Sequence, residues 1–144
     1  MSDTNIIEGV RKFLRTYPPL SNDKINVDFL PEEEKSYAVE VVPAQQIIRS
    51  YVDGSALCQC LFTVASRETF SEEARQQLDN LDFYWKLSDW LKEKTMEKDL
   101  PDLGEGVEAL SIRATTDGYV LSNDSNFARY QIQCRMEYLM KGRG

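Results

Sequence analysis

The chain has 144 residues, 42% hydrophobic and 28% charged, the balance of one folded domain and unlike disordered, collagen-like or disulfide-scaffold sequences. A formal net charge of −7 opposes tight binding to nucleic-acid phosphates. With no histidine, the usual general base near neutral pH, the commonest zinc ligand and every Ser-His or Cys-His nucleophile are missing.

The apolar runs are too short and too interrupted by charge to span a bilayer, so no membrane partner is expected. Residues 1–5 lack the basic start and apolar core of a secretory signal, so synthesis is expected to end in the cytoplasm. Cys58 and Cys60, two apart on a predicted strand, would place their α-carbons about 6.6 Å apart with an unsuitable side-chain approach. Together with Cys134 they are expected as free thiols.

From Thr4 to Tyr17 the apolar residues Ile6, Ile7, Val10, Phe13, Leu14 and Tyr17 fall on one helical face, with Asp3 or Thr4 as N-cap and Pro18-Pro19 as the stop. Ile25, Val27 and Phe29 alternate with polar neighbours, and Tyr37, Val39 and Val41 do so after the acidic turn 31–34, predicting a two-strand hairpin. Ile47 to Val52 and Leu57 to Ala65 read as two more strands around Asp53-Gly54, the pair that suits a type I′ turn.

Ser71, with Glu72 and Glu73, offers an N-cap for a helix carrying Ala74, Leu78 and Leu81 on one face. A second helical stretch is expected from near Asp82, with Phe83, Leu87, Trp90 and Leu91 at helical spacing, fading before Leu100-Pro101. Residues 99–106 form a surface loop rather than a domain boundary. Leu110, Ile112 and Ala114 alternate, Thr116-Asp117-Gly118 turns the chain into a short strand at Tyr119 to Leu121, and residues 122–126 form another turn.

Last comes a long strand in which Ala128, Tyr130, Ile132, Cys134, Met136, Tyr138 and Met140 share one face and Arg129, Gln131, Gln133, Arg135 and Glu137 the other. The order predicts a single α+β domain over residues 1–144, a mostly antiparallel or mixed sheet with helices packed on one face, and flexible ends at 1–3 and 141–144.

Little chemistry is marked. Gly104-x-Gly106 lacks the lysine and hydroxyl of a phosphate loop. The cysteines lack the second pair a thiolate metal site needs, and Glu32 to Glu34 read as a solvated turn. No catalytic, cofactor or metal residue is assigned, and the chain is not expected to be an enzyme. In the aromatic run, Phe83 and Trp90 suit packing on the sheet, while Tyr84 and Trp85 point elsewhere and are candidate partner anchors.

Tyr51-Val52-Asp53-Gly54-Ser55, Leu61-Phe62, Ala65-Ser66-Arg67-Glu68, the helix with Phe83-Tyr84 and Leu87 to Leu91, Gly118-Tyr119 and Ala128 to Cys134 together resemble the small minor capsid or tail-terminator proteins of long-tailed bacteriophages and prophages of Gram-positive bacteria. The likeness runs from about Ile25 to Met140. It implies an α+β subunit of a virion that forms a ring, commonly of six copies, which caps the tail tube and presents a surface for joining the head, with tail tube and head-tail connector proteins as partners. No catalytic residues come with it.

A net negative shell suits a ring whose lumen passes DNA without holding it. A head-to-tail ring needs two different complementary patches per subunit. The candidates are Asp53 and Gly54, Arg67 and Glu68, Tyr84 and Trp85, and the row Arg129, Gln131, Gln133 and Arg135. A head-tail connector or stopper, a carboxylate-metal enzyme and a small ligand-binding domain are the alternatives.

Overall fold

The computed structural model describes residues 3–20, 25–27, 30, 36–69, 74–123 and 127–142. Among them, two helices, α1 (Asp3–Leu14) and α2 (Ala74–Glu97), lie against one mixed sheet of seven strands. The strands are β1 (Ile25–Val27), β2 (Ser36–Val42), β3 (Ile47–Ser50), β4 (Ala56–Thr69), β5 (Val107–Ala114), β6 (Tyr119–Asn123) and β7 (Phe127–Met140). The α+β domain expected from the order of elements is the one observed.

Two 14-residue strands form the spine: β4 and β7 run antiparallel in unbroken register from Ala56↔Met140 to Thr69↔Phe127. Along the outer side of β4 lie β2 and then β3, and along the outer side of β7 lie β5 and then β6, every one of these pairings antiparallel. Each flank is thus one long strand interrupted once. Pro43, which has no amide proton to donate to a ladder, stands in the first interruption.

The alternation of β7 decides the layering. Ala128, Tyr130, Ile132, Cys134, Met136 and Tyr138 are all buried beneath the helices. Cys58, Phe62 and Val64 of β4, Val39 of β2 and Ile112 of β5 join them, and Ile6, Ile7, Val10, Phe13 and Leu14 of α1 cover them. Rings of Phe13, Tyr17, Tyr37, Phe83 and Trp90, with centroids 5.0 to 5.7 Å apart, tie α1 and β2 to α2.

Several local expectations change. Ile25↔Tyr37 to Val27↔Val39 is a parallel register, so β1 and β2 are not a hairpin; alternation reports which face a strand buries and carries no information on its direction. Phe29, the acidic turn 31–34, the Ser71 to Glu73 cap and residues 124–126 lie outside the described residues. The helical stretches around Leu81 and Asp82 are one continuous α2, because no glycine or proline interrupts them; Leu78 faces solvent. Helix α1 stops at Leu14, and Tyr17 enters the core from the turn that precedes the 3-10 segment Pro18–Leu20.

Asp53-Gly54 does join β3 to β4, through a five-residue loop rather than a type I′ turn. That turn needs two positive φ angles, and only Gly54 has one, at 88°. Tyr51 N donates to Ser55 O at 2.9 Å and Gly54 N to Tyr51 O at 3.1 Å. The Asp53 carboxylate accepts from both N and Oγ of Ser55, which holds its pKa below the ordinary value.

Candidate functional site: a polar sheet face

The helices occupy one side of the sheet. The other carries the odd-numbered residues of β4 and β7, the even ones of β2, and their cross-strand partners, and among the described residues no helix lies over it. Its middle rows are Ser36, Arg67 and Arg129; then Ala38, Ala65, Gln131 and Tyr119; then Glu40, Thr63 and Gln133; then Val42, Leu61, Arg135 and Arg113.

The face is wired rather than loose. The guanidinium of Arg129 donates Nη2–H to Glu40 Oε1 and Nε–H to Gln131 Oε1, the latter at 3.1 Å. Gln131 Nε2 donates to the Tyr119 hydroxyl oxygen at 2.6 Å, and Gln133 Nε2 donates to that same oxygen at 3.0 Å. One chain of contacts therefore runs from Glu40 through Arg129, Gln131 and Tyr119 to Gln133.

Its geometry explains an otherwise odd burial pattern. Arg129 lies in the Ser36 row and Glu40 two rows further along, so their ion pair passes over the row of Ala38 and Ala65. Both alanines are fully buried on a side with no helix. The Arg129–Glu40 pair spans the row that holds them, the way long cationic side chains lie along apolar surface, and Gln131 in the same row, bonded to Arg129, is 7% exposed.

Arg67 and Arg129 are direct cross-strand partners, as are Arg113 and Arg135. With Arg49, the partner of Leu57, five arginines thus share one face of a chain whose net charge is −7, against the carboxylates of Glu40, Glu137 and Glu108. Arg135 donates to Glu137 at 3.0 Å, while its Nε lies buried without a hydrogen-bond partner. Beyond Arg135 come the polar pair Gln59 and Glu137 and then the apolar pair Leu57 and Leu139.

The sequence candidates separate accordingly. Arg67, Arg129, Gln131, Gln133 and Arg135 meet on this face. Glu68 pairs with Ala128 on the helix side of the sheet, and Asp53 and Gly54 lie far along β4 at the hairpin end, where Gly142 packs on them and Lys141 N donates to Gly106 O. Trp85 is 46% exposed on α2, on the opposite side.

Tyr84 is corrected outright: it is 0% exposed, with its hydroxyl bonded to Ser66 and to the Tyr130 carbonyl, so it is a core residue and not a surface anchor. On α2 it is three residues before Leu87 and seven before Leu91, within the arc that meets the sheet. Glu40 and Tyr119 belong to the face and were missed. Only the register between strands brings them to Arg129 and Gln131.

The thiols are free; burial raises the pKa of Cys58 and of Cys134, while Cys60 is partly exposed. Among the described residues no group of three or more Cys, Asp or Glu converges as a metal site, and no helix is long and apolar enough to cross a membrane. Comparison with protein-family models finds no match to this chain, and comparison with curated proteins finds none either.

Proposed function

We propose that this chain is a structural subunit at the head-proximal end of a long-tailed phage or prophage tail, a tail terminator whose copies close into a ring. The ring caps the tail tube and offers the surface to which head-tail connector proteins join. The observation that carries the reading is the polar sheet face over which, among the described residues, no helix lies, with its chain of contacts from Glu40 to Gln133. A face whose polar side chains are already held by one another loses little rotamer freedom on docking, which suits a surface built to receive protein.

Clustering arginines on an otherwise acidic subunit favours charge-matched contacts with protein. The acidic remainder suits a lumen that DNA crosses without sticking. The resemblance in Tyr51 to Ser55, Ala65 to Glu68 and Ala128 to Cys134 points the same way.

The test is mass by multi-angle light scattering across a concentration series, with and without purified tail tube protein. A discrete closed oligomer, alone or formed on the tube, is expected. A monomer under every condition refutes the ring. Deleting the gene then separates roles: abnormally long tails follow loss of a terminator, whereas normal free tails beside filled heads follow loss of a connector or stopper.

A further inference from the structure

We infer that copies of this chain join edge to edge, the free margin of β3 in one copy adding to the free margin of β6 in the next. The inference rests on the self-assembly proposed above and specifies the seam.

The sheet has four outer margin segments, two on each side of the β4–β7 spine. Two are partly covered within the subunit. β1, three residues long, lies along β2 and its Ile25 carbonyl accepts from Arg11 of α1, while on β5 Thr95 of α2 caps Ile112, its Oγ1 donating to Ile112 O at 2.7 Å and accepting from Ile112 N at 3.0 Å. β3 and β6 are likewise paired on one side only.

These open margins are diagonal corners of the sheet. β3 runs beside Ala56 to Cys58, where β4 faces Tyr138 to Met140, while β6 runs beside Ala128 to Gln131 at the other end of β7. Folded proteins normally blunt such edges with lysine, proline or a covering element. Among the described residues neither edge carries lysine, proline or a covering element, though both strands are short; β3 exposes Ile47 and Ile48, and β6 exposes Val120 and Leu121. Each has a single register shift, at Ile48 and at Leu121.

Charge selects the occupant. β3 itself carries one charge, Arg49, whereas β6 carries none and is flanked in sequence by Asp117 and Asp124. Two β3 edges meeting would put like charges on one short seam, as would two β6 edges with their flanking aspartates. A β3 edge meeting a β6 edge puts opposite charges there. The fitting partner is therefore a second copy in a head-to-tail contact, which repeats into a closed ring or an open filament according to its rotation.

Two variants test this, each blocking one edge at an exposed position: Ile48→Lys and Leu121→Lys, with folding checked by circular dichroism. Each alone is expected to stay monomeric at concentrations where the parent chain assembles. Mixed in equal amounts they are expected to form a dimer and nothing larger, since each supplies the edge the other lacks. Arg49→Asp is expected to raise the assembly midpoint by at least about tenfold, and adding Asp117→Arg to restore it. This charge series reads the same seam if a lysine variant fails to fold.

Dimerisation of either lysine variant alone overturns the pairing in favour of like edges. Assembly of both variants as readily as the parent chain overturns it while leaving the ring standing. A parent chain that stays monomeric, with and without tail tube protein, overturns both.

Discussion

The Tyr84 hydroxyl and the Ser66 hydroxyl are bonded to each other inside a fully buried site, 2.5 Å apart, with the Tyr130 carbonyl 3.0 Å from the phenol oxygen. Tyr84 has one proton, and it goes to that carbonyl; Ser66 is therefore the donor to Tyr84. Tyr84→Phe strands the buried serine hydroxyl and should cost about 1–3 kcal/mol. Adding Ser66→Ala removes the stranded group, so the double variant should regain part of the loss in urea denaturation. Equal destabilisation by the single and double changes would refute this assignment of the proton.

The same ring sets the limit on Gly118. A Cβ there would lie 2.3 Å from Tyr84 Cβ and 2.7 Å from Cγ, against the rigid base of the side chain rather than a flexible end. Gly118→Ala should therefore destabilise by roughly 1–3 kcal/mol, the range for overpacking a filled site. Combined with Tyr84→Gly, which removes the Cβ as well as the ring, the penalty at Gly118 should shrink, which thermal denaturation of the four-member cycle measures.

Much of the layering was legible because it depends on local periodicity. The alternation of Ala128 to Tyr138 named the buried face of β7 residue by residue, and the spacing of Ile6, Val10 and Leu14 named that of α1. What periodicity does not encode is which strands pair and in which sense. The parallel β1, the meeting of Glu40 with Arg129 and the placement of Tyr119 all depend on contacts between residues far apart in sequence, such as 89 positions for Glu40 and Arg129. Tyr84 was misread for a related reason: a helix with aromatics on several sides does not declare in sequence which ones the sheet will claim.

Removing Arg129 should act through packing as much as charge. Arg129→Ala removes the pair that spans the row of Ala38 and Ala65, so about 1 kcal/mol of destabilisation is expected, partly insensitive to salt. Glu40→Gln keeps the shape and removes only the charge; because both partners are about a quarter exposed, the coupling from a double-mutant cycle should fall near 0.2–1 kcal/mol and decline with added salt. A salt-independent coupling would show that the pair acts sterically.

Lys98 is the described non-glycine residue with positive φ, at 59°, and it ends α2. Lys98 N donates to Thr95 O at 3.2 Å and Asp99 N to Lys94 O at 3.0 Å, the paired bonds of a helix stop that glycine normally occupies. Lys98→Gly relieves the contact between Cβ and backbone, and should stabilise the chain by about 0.5–1 kcal/mol despite the added freedom of the unfolded state. Its midpoint in urea should rise, and a fall would show that the Lys98 side chain contributes more than its backbone conformation costs.

Stability should also fall at high pH, through tyrosines. Burial, with Asp82 and Asp89 adding to it, pushes Tyr17 from its ordinary 10.0 to about 12, and burial pushes Tyr84 higher still. Below about pH 10 the folded and unfolded states both keep these protons, so the contribution is fully present. As pH rises from about 10 through 12 the unfolded chain releases protons that the folded chain retains, and the equilibrium shifts toward unfolding. Urea midpoints taken across that window should decline steadily. Tyr17→Phe should lower stability modestly near neutrality, where the bond from its hydroxyl to the Phe83 carbonyl at 3.2 Å is lost, and should flatten the decline above pH 10. An unchanged slope in that variant would mean that Tyr17 ionises as freely in the folded chain as in the unfolded one.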